Sequence, residues 1–344
     1  MIKASIIIPT YNRGKLLYDT LKNLLGHLPA DVEIIVVDQS EEVYPDILEI
    51  IKSHSNVIHY YKIYVKGLPH ARNYGLKRAI GEIVIFCDDD VITTRNFIQN
   101  HLRNYEEKDI GGVGGRISQQ GKQRHSFSNV EYVGKENLFP DNEITPTMSS
   151  PSQGEDEGRV KNLRNTPSCK LKKTDFARKH CDKETGKVRW GAYLIDNFDS
   201  NRRSYIEHVQ GCNMSFRKEA IIKAGKFDER FGGSAHLEET DLCLRIRKAG
   251  YKIVFDPEAE LIHLKDTKGG CRAENYKQWF YWYGHNNTLF FLKNFSRSLL
   301  PVFAISSFIR LALSACKRLN PMVVVWGIGG YWAGFAAYKA NQST

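Results

Sequence analysis

The strongest constraint on the fold is an apolar segment that ends in three consecutive carboxylates. Residues 83–87 read Ile-Val-Ile-Phe-Cys, and Asp88, Asp89 and Asp90 follow directly. A short, continuous apolar run rich in β-branched residues is typical of a strand covered on both faces in a parallel sheet. Because side chains alternate along an extended chain, Asp88 and Asp90 are expected on the same side of it.

The carboxylate cluster has two interpretations. Like charges raise each other's pKa, so three adjacent carboxylates favour a compensating cation at this strand end. Oxygen ligands suit Mg²⁺ or Mn²⁺, with phosphate groups completing the coordination shell. The simpler alternative is that one aspartate caps a helix that begins near Thr93 or Thr94. Capping needs one carboxylate rather than three, so the metal–phosphate interpretation is favoured.

The first 117 residues alternate between strand and helix patterns. Apolar runs predict strands over residues 4–8, 33–38, 57–61 and 83–87. The alternation with helical segments predicts an α/β fold with a parallel sheet and right-handed crossovers. Three strand ends, at Thr10, Asp38 and Asp88, should then face one crevice, where open sheets bind their ligands. The absence of GxGxxG and GxxxxGK[ST] motifs excludes a standard dinucleotide or P-loop site.

Composition narrows the partners and the compartment. The net charge of +10 favours anionic partners such as nucleotides, nucleic acid or an anionic lipid surface. No DNA- or RNA-binding signature occurs, so no nucleic-acid partner is predicted. The seven cysteines are scattered without a CxxC pair, which argues against a disulfide framework or zinc site and for a reducing compartment. The N-terminal apolar run is too short for a signal peptide, and we expect a cytoplasmic protein.

The rest of the chain divides into three parts. Residues 118–204 lack periodicity and predict a polar insertion. It is either a lid or acceptor platform, which is the favoured interpretation, or a family-specific decoration. Strand and helix patterns return over 205–275, with two separate strands predicted at 251–255 and 261–264. Residues 276–344 are aromatic and apolar, and the uncharged run Met322 to Tyr338 is at the lower limit for spanning a bilayer. A buried helix pair is one interpretation, but the tryptophans and tyrosines favour interfacial attachment to the cytoplasmic face of the membrane.

Five motifs stand in the order found in family 2 glycosyltransferases, which the chain resembles. They comprise residues 8–13 (IPTYNR), 36–40 (VVDQS), 67–75 (GLPHARNYG) and 88–90 (DDD), and an acceptor-side motif formed by 211–217 (GCNMSFR) with 238–245. The resemblance covers roughly 1–117 and 205–295. It implies a GT-A fold, a Rossmann-like, mostly parallel sheet with flanking helices, here followed by C-terminal apolar helices. Residues 1–117 would form the nucleotide-sugar-binding half, and residues 205–275 the acceptor and catalytic-base half.

The resemblance also implies residue roles at the donor site. Asp88 and Asp90 would hold Mg²⁺ or Mn²⁺, and His263 would be a further ligand, although a lone histidine is more often structural. Arg72 has two open interpretations, assistance to the diphosphate or a structural ion pair. The implied donor-binding residues are Pro9, Tyr11, Asn12, Arg13, Asp38, Gly67, Arg72, Asp88 and Asp89.

The catalytic base is implied by an acidic pair. Where the family commonly has Glu-Asp, this chain has Glu238 and Glu239. The second position implies Glu239 as the base, with Glu238 as the other candidate. Acidic residues in a first helical turn are also favoured by the helix dipole alone. Asp241 and Arg245 are four residues apart and are assigned to a structural ion pair.

The implied function is inverting transfer of a sugar, from a UDP-sugar by preference, to a saccharide or lipid-linked acceptor in polysaccharide or glycolipid synthesis. The enzyme would work at the inner face of the plasma membrane, with peripheral contact through its C-terminal helices. Trp190 and the aromatic cluster at 279–283 are candidates for stacking on sugar rings, although most of these side chains are expected in the core. The alternatives are a sugar-phosphate nucleotidyltransferase and an inactive carbohydrate-binding relative.

Overall fold

The computed structural model describes residues 2–119, 184–189, 192–265, 269–270, 273 and 275–340. Its strands are β1 (Ala4–Thr10), β2 (Val32–Asp38), β3 (Ile58–Lys62), β4 (Ile83–Cys87), β5 (Val91–Thr93), β6 (Ile110–Gln119), β7 (Lys187–Arg189), β8 (Tyr193–Ile195), β9 (Ser204–Tyr205), β10 (Asn213–Arg217) and β11 (Lys252–His263). Its helices are α1 (Gly14–Leu25), α2 (Pro45–Ser53), α3 (Leu68–Arg78), α4 (Phe97–Leu102), α5 (Lys218–Lys223), α6 (Glu238–Lys248), α7 (Tyr276–Asn294), α8 (Leu300–Arg318) and α9 (Met322–Ala340).

One large sheet organises the α/β part of the molecule. Its strand order is β3-β2-β1-β4-β10-β6-β11-β5, with β9 paired to β11. The first four strands run parallel, as do β6 and β11, whereas β10 lies antiparallel between β4 and β6. The predicted α/β fold with a mostly parallel sheet and flanking helices is confirmed.

The central strands are buried on both faces. Ile6 and Ile8 of β1 pack into one hydrophobic cluster, and Ile7 between them packs into the other. Because side chains alternate along a strand, a continuous apolar run supplies both layers of core at once. β1 pairs with β2 so that Thr10 stands opposite Asp38. β4 pairs with the other side of β1, so the three polar strand ends meet at one edge, as predicted.

Two secondary-structure predictions were wrong. No helix begins at Thr93 or Thr94, because residues 91–93 pair with β11 as strand β5. The next helix, α4, begins at Phe97, so capping does not explain the aspartates. The two predicted strands at 251–255 and 261–264 are one strand, β11, with a register irregularity between Asp256 and Leu261.

The predicted polar insertion lies mostly outside the described residues, as does Trp190. Its described part contains the β7–β8 hairpin, which is separate from the main sheet. Ala192 in the hairpin turn is buried with Phe290 and Phe291 of α7. The described hairpin therefore packs against the C-terminal helices.

The C-terminal helices differ in how far they are covered. α9 packs closely on α7 through Gly330 and Gly334, whose Cα atoms leave no room for a side chain. α8 leaves large apolar side chains exposed, including Ile305, Phe308 and Leu313. Within the described residues, the helical stretch 297–318 is the one whose length and composition would suit a membrane span. The run 322–338, singled out from sequence, does not meet that criterion.

Candidate active site

A cleft of about 420 Å³ lies at the carboxyl ends of β1 and β2. Asn12 follows β1 there with a positive φ of 55°, and Asp38 ends β2. The cleft is lined by Thr10, Asn12, Gly14, Leu17, Asp38, Ser40, Glu41, Glu42, Val43, Tyr44, Pro45 and Ile47. It occupies the place where an open sheet binds a nucleotide.

Asp38 is held in position by groups of its own chain. Its Oδ1 accepts a hydrogen bond from the Ser40 amide at 2.7 Å, and its Oδ2 accepts one from the Tyr60 hydroxyl at 2.5 Å. Lys62 Nζ lies 3.7 Å from Oδ2. Burial, together with the neighbouring carboxylate, raises the pKa of Tyr60, so this hydroxyl stays protonated and donates. Each carboxylate oxygen has further acceptor capacity toward the cleft.

Arg13 and Asp89 were predicted to bind the donor, but the structure buries them against each other. Arg13 Nη1 donates to Asp89 Oδ1 at 2.9 Å, and Thr10 Oγ1 donates to Asp89 Oδ2 at 2.6 Å. Both side chains are more than nine-tenths buried, and neither lines the cleft. Burial raises the pKa of Asp89 to about 7, against the opposing effects of Arg13 and Thr10. In this arrangement Arg13 and Asp89 hold the loop after β4 in place, and their contact with a donor stays a prediction.

The other predicted donor residues are divided between the cleft and its support. The Tyr11 hydroxyl accepts a hydrogen bond from Lys66 Nζ at 2.8 Å. Gly67 precedes α3 with a φ of 146°, a conformation that favours glycine, and its carbonyl accepts a hydrogen bond from Gln39 Nε2 at 3.3 Å. Pro9 is buried within β1 and lines neither of the pockets described here.

A larger pocket of about 570 Å³ contains Asp88 from the strand end together with Glu239 and His263. Its walls come from the loop before β10, the β7–β8 hairpin, the start of α6 and the C-terminal helices. Asp88, Glu239 and His263 therefore line one pocket, although Asp88 precedes the other two by more than a hundred residues in the sequence. The pocket thus contains one residue of the DDD segment, the second residue of the acidic pair and the histidine, to which the resemblance implied roles in metal binding and catalysis.

Asp88 and His263 offer ligand atoms for a divalent ion. His263 Nε2 lies 3.1 Å from Asp90 Oδ1 and 3.8 Å from Asp88 Oδ2. Asp90 is fully buried and also lies 3.3 Å from Arg13 Nη1. Among the described residues, a potential ligand cluster unites Asp88, Cys212 and His263, with one ligand atom of each within 4.8 Å of the others. Carboxylate oxygen and imidazole nitrogen suit Mn²⁺ or Mg²⁺, so the residues present fit such an ion.

Cys212 is the member of this cluster that the sequence analysis did not identify. Burial and the nearby carboxylates raise the pKa of its thiol well above the usual value, so the sulfur stays protonated. A neutral thiol is a poor ligand for a hard cation. We therefore assign Cys212 to the wall of the site rather than to the ligand set. In the sequence, Cys212 could have been found through the acceptor-side motif at 211–217, where it directly follows Gly211.

The acidic pair is divided between two environments. Glu238 is completely buried and forms an ion pair with Arg72, which is itself 1% exposed. Arg72 Nη2 also donates to the Gly211 carbonyl at 2.9 Å and lies 3.9 Å from Asp88 Oδ1. Of the two interpretations of Arg72, the structural ion pair is the one observed. Glu238 is not accessible to an acceptor, contrary to its place among the catalytic candidates.

Glu239 faces the larger pocket, one residue along α6. Burial raises the pKa of its carboxyl group, while the positive charge of Arg72 opposes the shift. A carboxylate with a raised pKa is a better proton acceptor near neutral pH than an ordinary glutamate. Asp241, two residues further on, binds Arg245 and Lys293 and is structural, as expected.

The pocket also contains one of the aromatic side chains that the sequence offered for stacking on a sugar, and one cation that the sequence did not connect with this site. Tyr283 of the aromatic cluster lines it, stacked between His236 and Trp279 at centroid distances of 6.0 and 5.1 Å. Arg310 reaches it from α8. A single arginine in an apolar helix was visible in the sequence, but nothing there connected it with the DDD segment.

The fold and the strand-end carboxylates together define a GT-A glycosyltransferase, and comparison with known proteins agrees. A family model described as "Glycosyl transferase family 2" matches residues 5–154. The uncharacterized glycosyltransferase YfnE of Bacillus subtilis is 26% identical over 286 residues, covering 79% of this chain and 67% of YfnE. Over residues 5–154 the chain is thus similar to glycosyltransferase family 2, and its described sheet has the GT-A architecture.

Two further similarities are more limited. A GalNAc(5)-diNAcBac-PP-undecaprenol beta-1,3-glucosyltransferase of Campylobacter jejuni is 36% identical over 93 residues, 26% of this chain and 30% of that protein. Among solved structures, the mannosyltransferase PcManGT of Pyrobaculum calidifontis, in complex with GDP-Man and Mn²⁺, superposes with a TM-score of 0.52. It is 16% identical, and the match covers 99% of this chain and 78% of that one. At this identity the likeness shows the fold alone.

Proposed function

We propose that this glycosyltransferase moves a sugar from a nucleotide-diphospho-sugar to a saccharide or lipid-linked acceptor, with inversion and with the help of a divalent metal ion. The observation that carries the proposal is the presence of Asp88, His263 and Glu239 in one pocket at the strand ends. Candidate metal ligands and a candidate general base thus line the same pocket. The adjoining cleft beside Asp38 is the place for the nucleotide, with UDP favoured.

The metal ion would be Mg²⁺ or Mn²⁺, held by Asp88 and His263 with Asp90 behind them. When bound, such an ion neutralises the charge that develops on the leaving diphosphate. Asp90 is already placed by Arg13 and His263, so it also fixes the orientation of the imidazole. The Mn²⁺ complex of the Pyrobaculum mannosyltransferase supports a metal-dependent donor site by analogy of fold.

Glu239 would accept the proton of the acceptor hydroxyl. Its carboxyl group faces the pocket and has a raised pKa, which favours proton transfer near neutral pH. Attack from the side opposite the leaving diphosphate inverts the anomeric centre, by the same stereochemical logic as inverting glycosidases. Glu238 neutralises Arg72 and keeps α3 and α6 together, so it serves as a support for the base.

The same proposal includes a location. The exposed apolar side chains of α8 and the net charge of +10 support contact with the anionic inner face of the plasma membrane. A family relative from Campylobacter has an undecaprenol-linked acceptor in its name, which supports a membrane-linked pathway of polysaccharide or glycolipid synthesis.

The direct test is nucleoside diphosphate release from UDP-, GDP- and dTDP-sugars with Mn²⁺ or Mg²⁺. We expect one donor to be hydrolysed, and we expect EDTA to abolish the release and added metal to restore it. Asp88→Asn should lower release at least hundredfold, because it removes a charged ligand. Release that persists unchanged in EDTA would contradict the metal-dependent mechanism.

The base is tested by Glu239→Gln, which keeps the shape of the side chain and removes its basicity. Turnover should fall about 100- to 10,000-fold, the usual contribution of a general base. Nucleotide affinity, measured by calorimetry, should stay within about twofold. The matched control is Glu49→Gln on α2, an exposed glutamate outside both pockets. Equal turnover of Glu239→Gln and wild type would eliminate Glu239 as the base.

A further inference from the structure

One cation of the larger pocket comes from outside the α/β sheet. Arg310 of α8 lines this pocket together with Asp88, Glu239 and His263. Between residues 299 and 316 it is the sole charged residue in the sequence. A single charged side chain in a helix of this composition is unusual and makes Arg310 a candidate for a functional contact.

The guanidinium group of Arg310 has spare binding capacity. Its Nη2 donates to Ser307 Oγ at 3.0 Å, one turn earlier on the same helix. Its Nε is buried and has no hydrogen-bond partner in the described part of the chain. No described carboxylate forms a salt bridge with it. A partly buried cation of this kind is stabilised by an anion, and the planar guanidinium fork matches phosphate geometry.

Arg310 also stands where the pocket meets an exposed apolar surface. The buried face of α8 carries Phe303, Ser307 and Leu311, and Arg310 lies at the edge of that face. Residues three apart on a helix are neighbours, so the exposed Leu313 lies beside it. The same exposed side of α8 carries Val302, Ile305, Phe308 and Ile309. The larger pocket and the exposed apolar side of α8 are therefore adjacent at Arg310.

We propose that Arg310 binds the phosphate group of a lipid-linked acceptor. The lipid chain would lie on the apolar side of α8, and the sugar to be extended would enter the pocket toward Glu239. An acceptor with a phosphate between sugar and lipid satisfies both features, because it supplies an anion to Arg310 and apolar surface to α8. A neutral, soluble saccharide would leave both without a partner. This inference rests on the proposed transferase function and specifies its acceptor class.

The test is direct binding of three probes, each kept below its aggregation concentration. Farnesyl diphosphate combines phosphate and lipid, farnesol has the lipid alone, and inorganic pyrophosphate has the phosphates alone. UDP and Mn²⁺ are present at saturating concentrations, which a prior titration establishes. The donor site is then occupied, and pyrophosphate cannot bind there. Wild type is compared with Arg310→Gln, Arg310→Lys and the control Lys317→Gln, which removes an exposed charge from the same helix.

We expect Arg310→Gln to weaken farnesyl diphosphate binding about ten- to hundredfold, the range for charged hydrogen bonds. Arg310→Lys should recover part of the loss, and Lys317→Gln should match wild type. Farnesol should bind all four proteins equally. A thermal unfolding scan of each variant shows that its fold is intact.

Two results would overturn the inference. Equal affinity of farnesyl diphosphate for wild type and Arg310→Gln would remove Arg310 from phosphate binding. Pyrophosphate binding as tight as that of farnesyl diphosphate would assign the site to a soluble phosphate instead of a lipid. The donor-hydrolysis assay of the wild type contains no lipid and tests the transferase function separately. If nucleoside diphosphate is released and either of these two binding results is also obtained, the acceptor assignment is rejected while the transferase function stands.

Discussion

Arg72 explains why two adjacent glutamates have different roles. Successive residues of a helix point about 100° apart, so Glu238 and Glu239 cannot both face the pocket. Glu238 turns inward to the buried Arg72, whose guanidinium also lies 6.0 Å from the Phe86 ring centroid and 5.6 Å from that of Phe227. This buried contact joins α3, α6 and the sheet directly beneath the base. Glu239 is therefore presented to the pocket by a rigid support.

The ion pair predicts a strong effect on stability. Glu238→Gln leaves a buried arginine without its counter-charge and should lower the free energy of unfolding by about 3–5 kcal/mol. Arg72→Met should cost a similar amount. Because each single change leaves an uncompensated charge, the double variant should cost clearly less than the sum of the two. Urea unfolding measures all three, with Glu49→Gln as the control expected within about 0.5 kcal/mol of wild type. Additive losses would show that the two charges are not coupled.

At the scale of elements, the contact between α7 and α9 depends on glycine. A Cβ at Gly330 would collide with the Tyr281 carbonyl oxygen, and one at Gly334 with the His285 carbonyl oxygen. Gly329, which precedes Gly330, has the opposite environment, because a Cβ there would meet nothing within 4 Å. Close backbone approach, rather than large apolar side chains, joins these two helices.

The two neighbouring glycines provide a matched pair of substitutions. Gly329→Ala should stabilise the protein by up to about 1 kcal/mol, because alanine is the better helix former at an exposed position. Gly330→Ala should destabilise it by about 1–3 kcal/mol, because the helices must move apart. Thermal and urea unfolding measure both. The same sign for the two variants would contradict the close packing of α9 on α7.

A second junction of elements, between α4 and β10, contains a buried histidine. Asn213 Nδ2 donates to the carbonyls of Arg116 and Ala259, so its Oδ1 accepts from His101 Nε2 at 2.9 Å. The other ring nitrogen of His101 then accepts from Ser215 Oγ at 2.9 Å. The imidazole is thus held in its neutral form. Burial lowers the pKa of His101 to about 4.

This histidine predicts how stability changes with pH. The unfolded chain binds the proton with a pKa of about 6.5, and the folded chain only near 4, so the contribution is complete above 6.5 and is lost as pH falls toward 4. The loss attributable to His101 should be on the order of 3 kcal/mol. Urea unfolding between pH 7 and 4 should show a shallower dependence for His101→Gln than for wild type. His54→Gln, which leaves the buried site intact, should keep the full dependence.

At the scale of the whole molecule, the apolar side of α8 and the positive net charge predict membrane association. The protein should bind vesicles that contain phosphatidylglycerol and bind neutral vesicles more weakly, because its charge of +10 favours an anionic surface. Replacing Phe308 and Leu313 with serine should weaken vesicle binding at least tenfold, since two exposed apolar side chains lose their burial in lipid. Leu48→Ser removes a similarly exposed leucine from α2 and serves as the control. Co-sedimentation measures the binding, and equal binding of the double variant and wild type would contradict the proposed contact.

The alternating strands and helices of the N-terminal half, and the carboxylates at their ends, were determined by the sequence alone. Local patterns suffice for this, because a fully apolar run specifies a buried strand and a parallel sheet brings its carboxyl ends to one edge. The roles of Glu239 and His263 beside Asp88 were implied by the resemblance to family 2 glycosyltransferases and not by a local pattern, and the structure places all three in one pocket.

The tertiary structure decided which polar side chains face the pocket and which support it from within. Arg13 and Asp89 looked like donor ligands in the sequence, yet they are buried against each other, and Glu238 is buried against Arg72. Arg310 joins the pocket only because α7 and α9 carry α8 to that place. Direction and burial of a side chain depend on the packing of segments distant in sequence, and no local pattern contains that information.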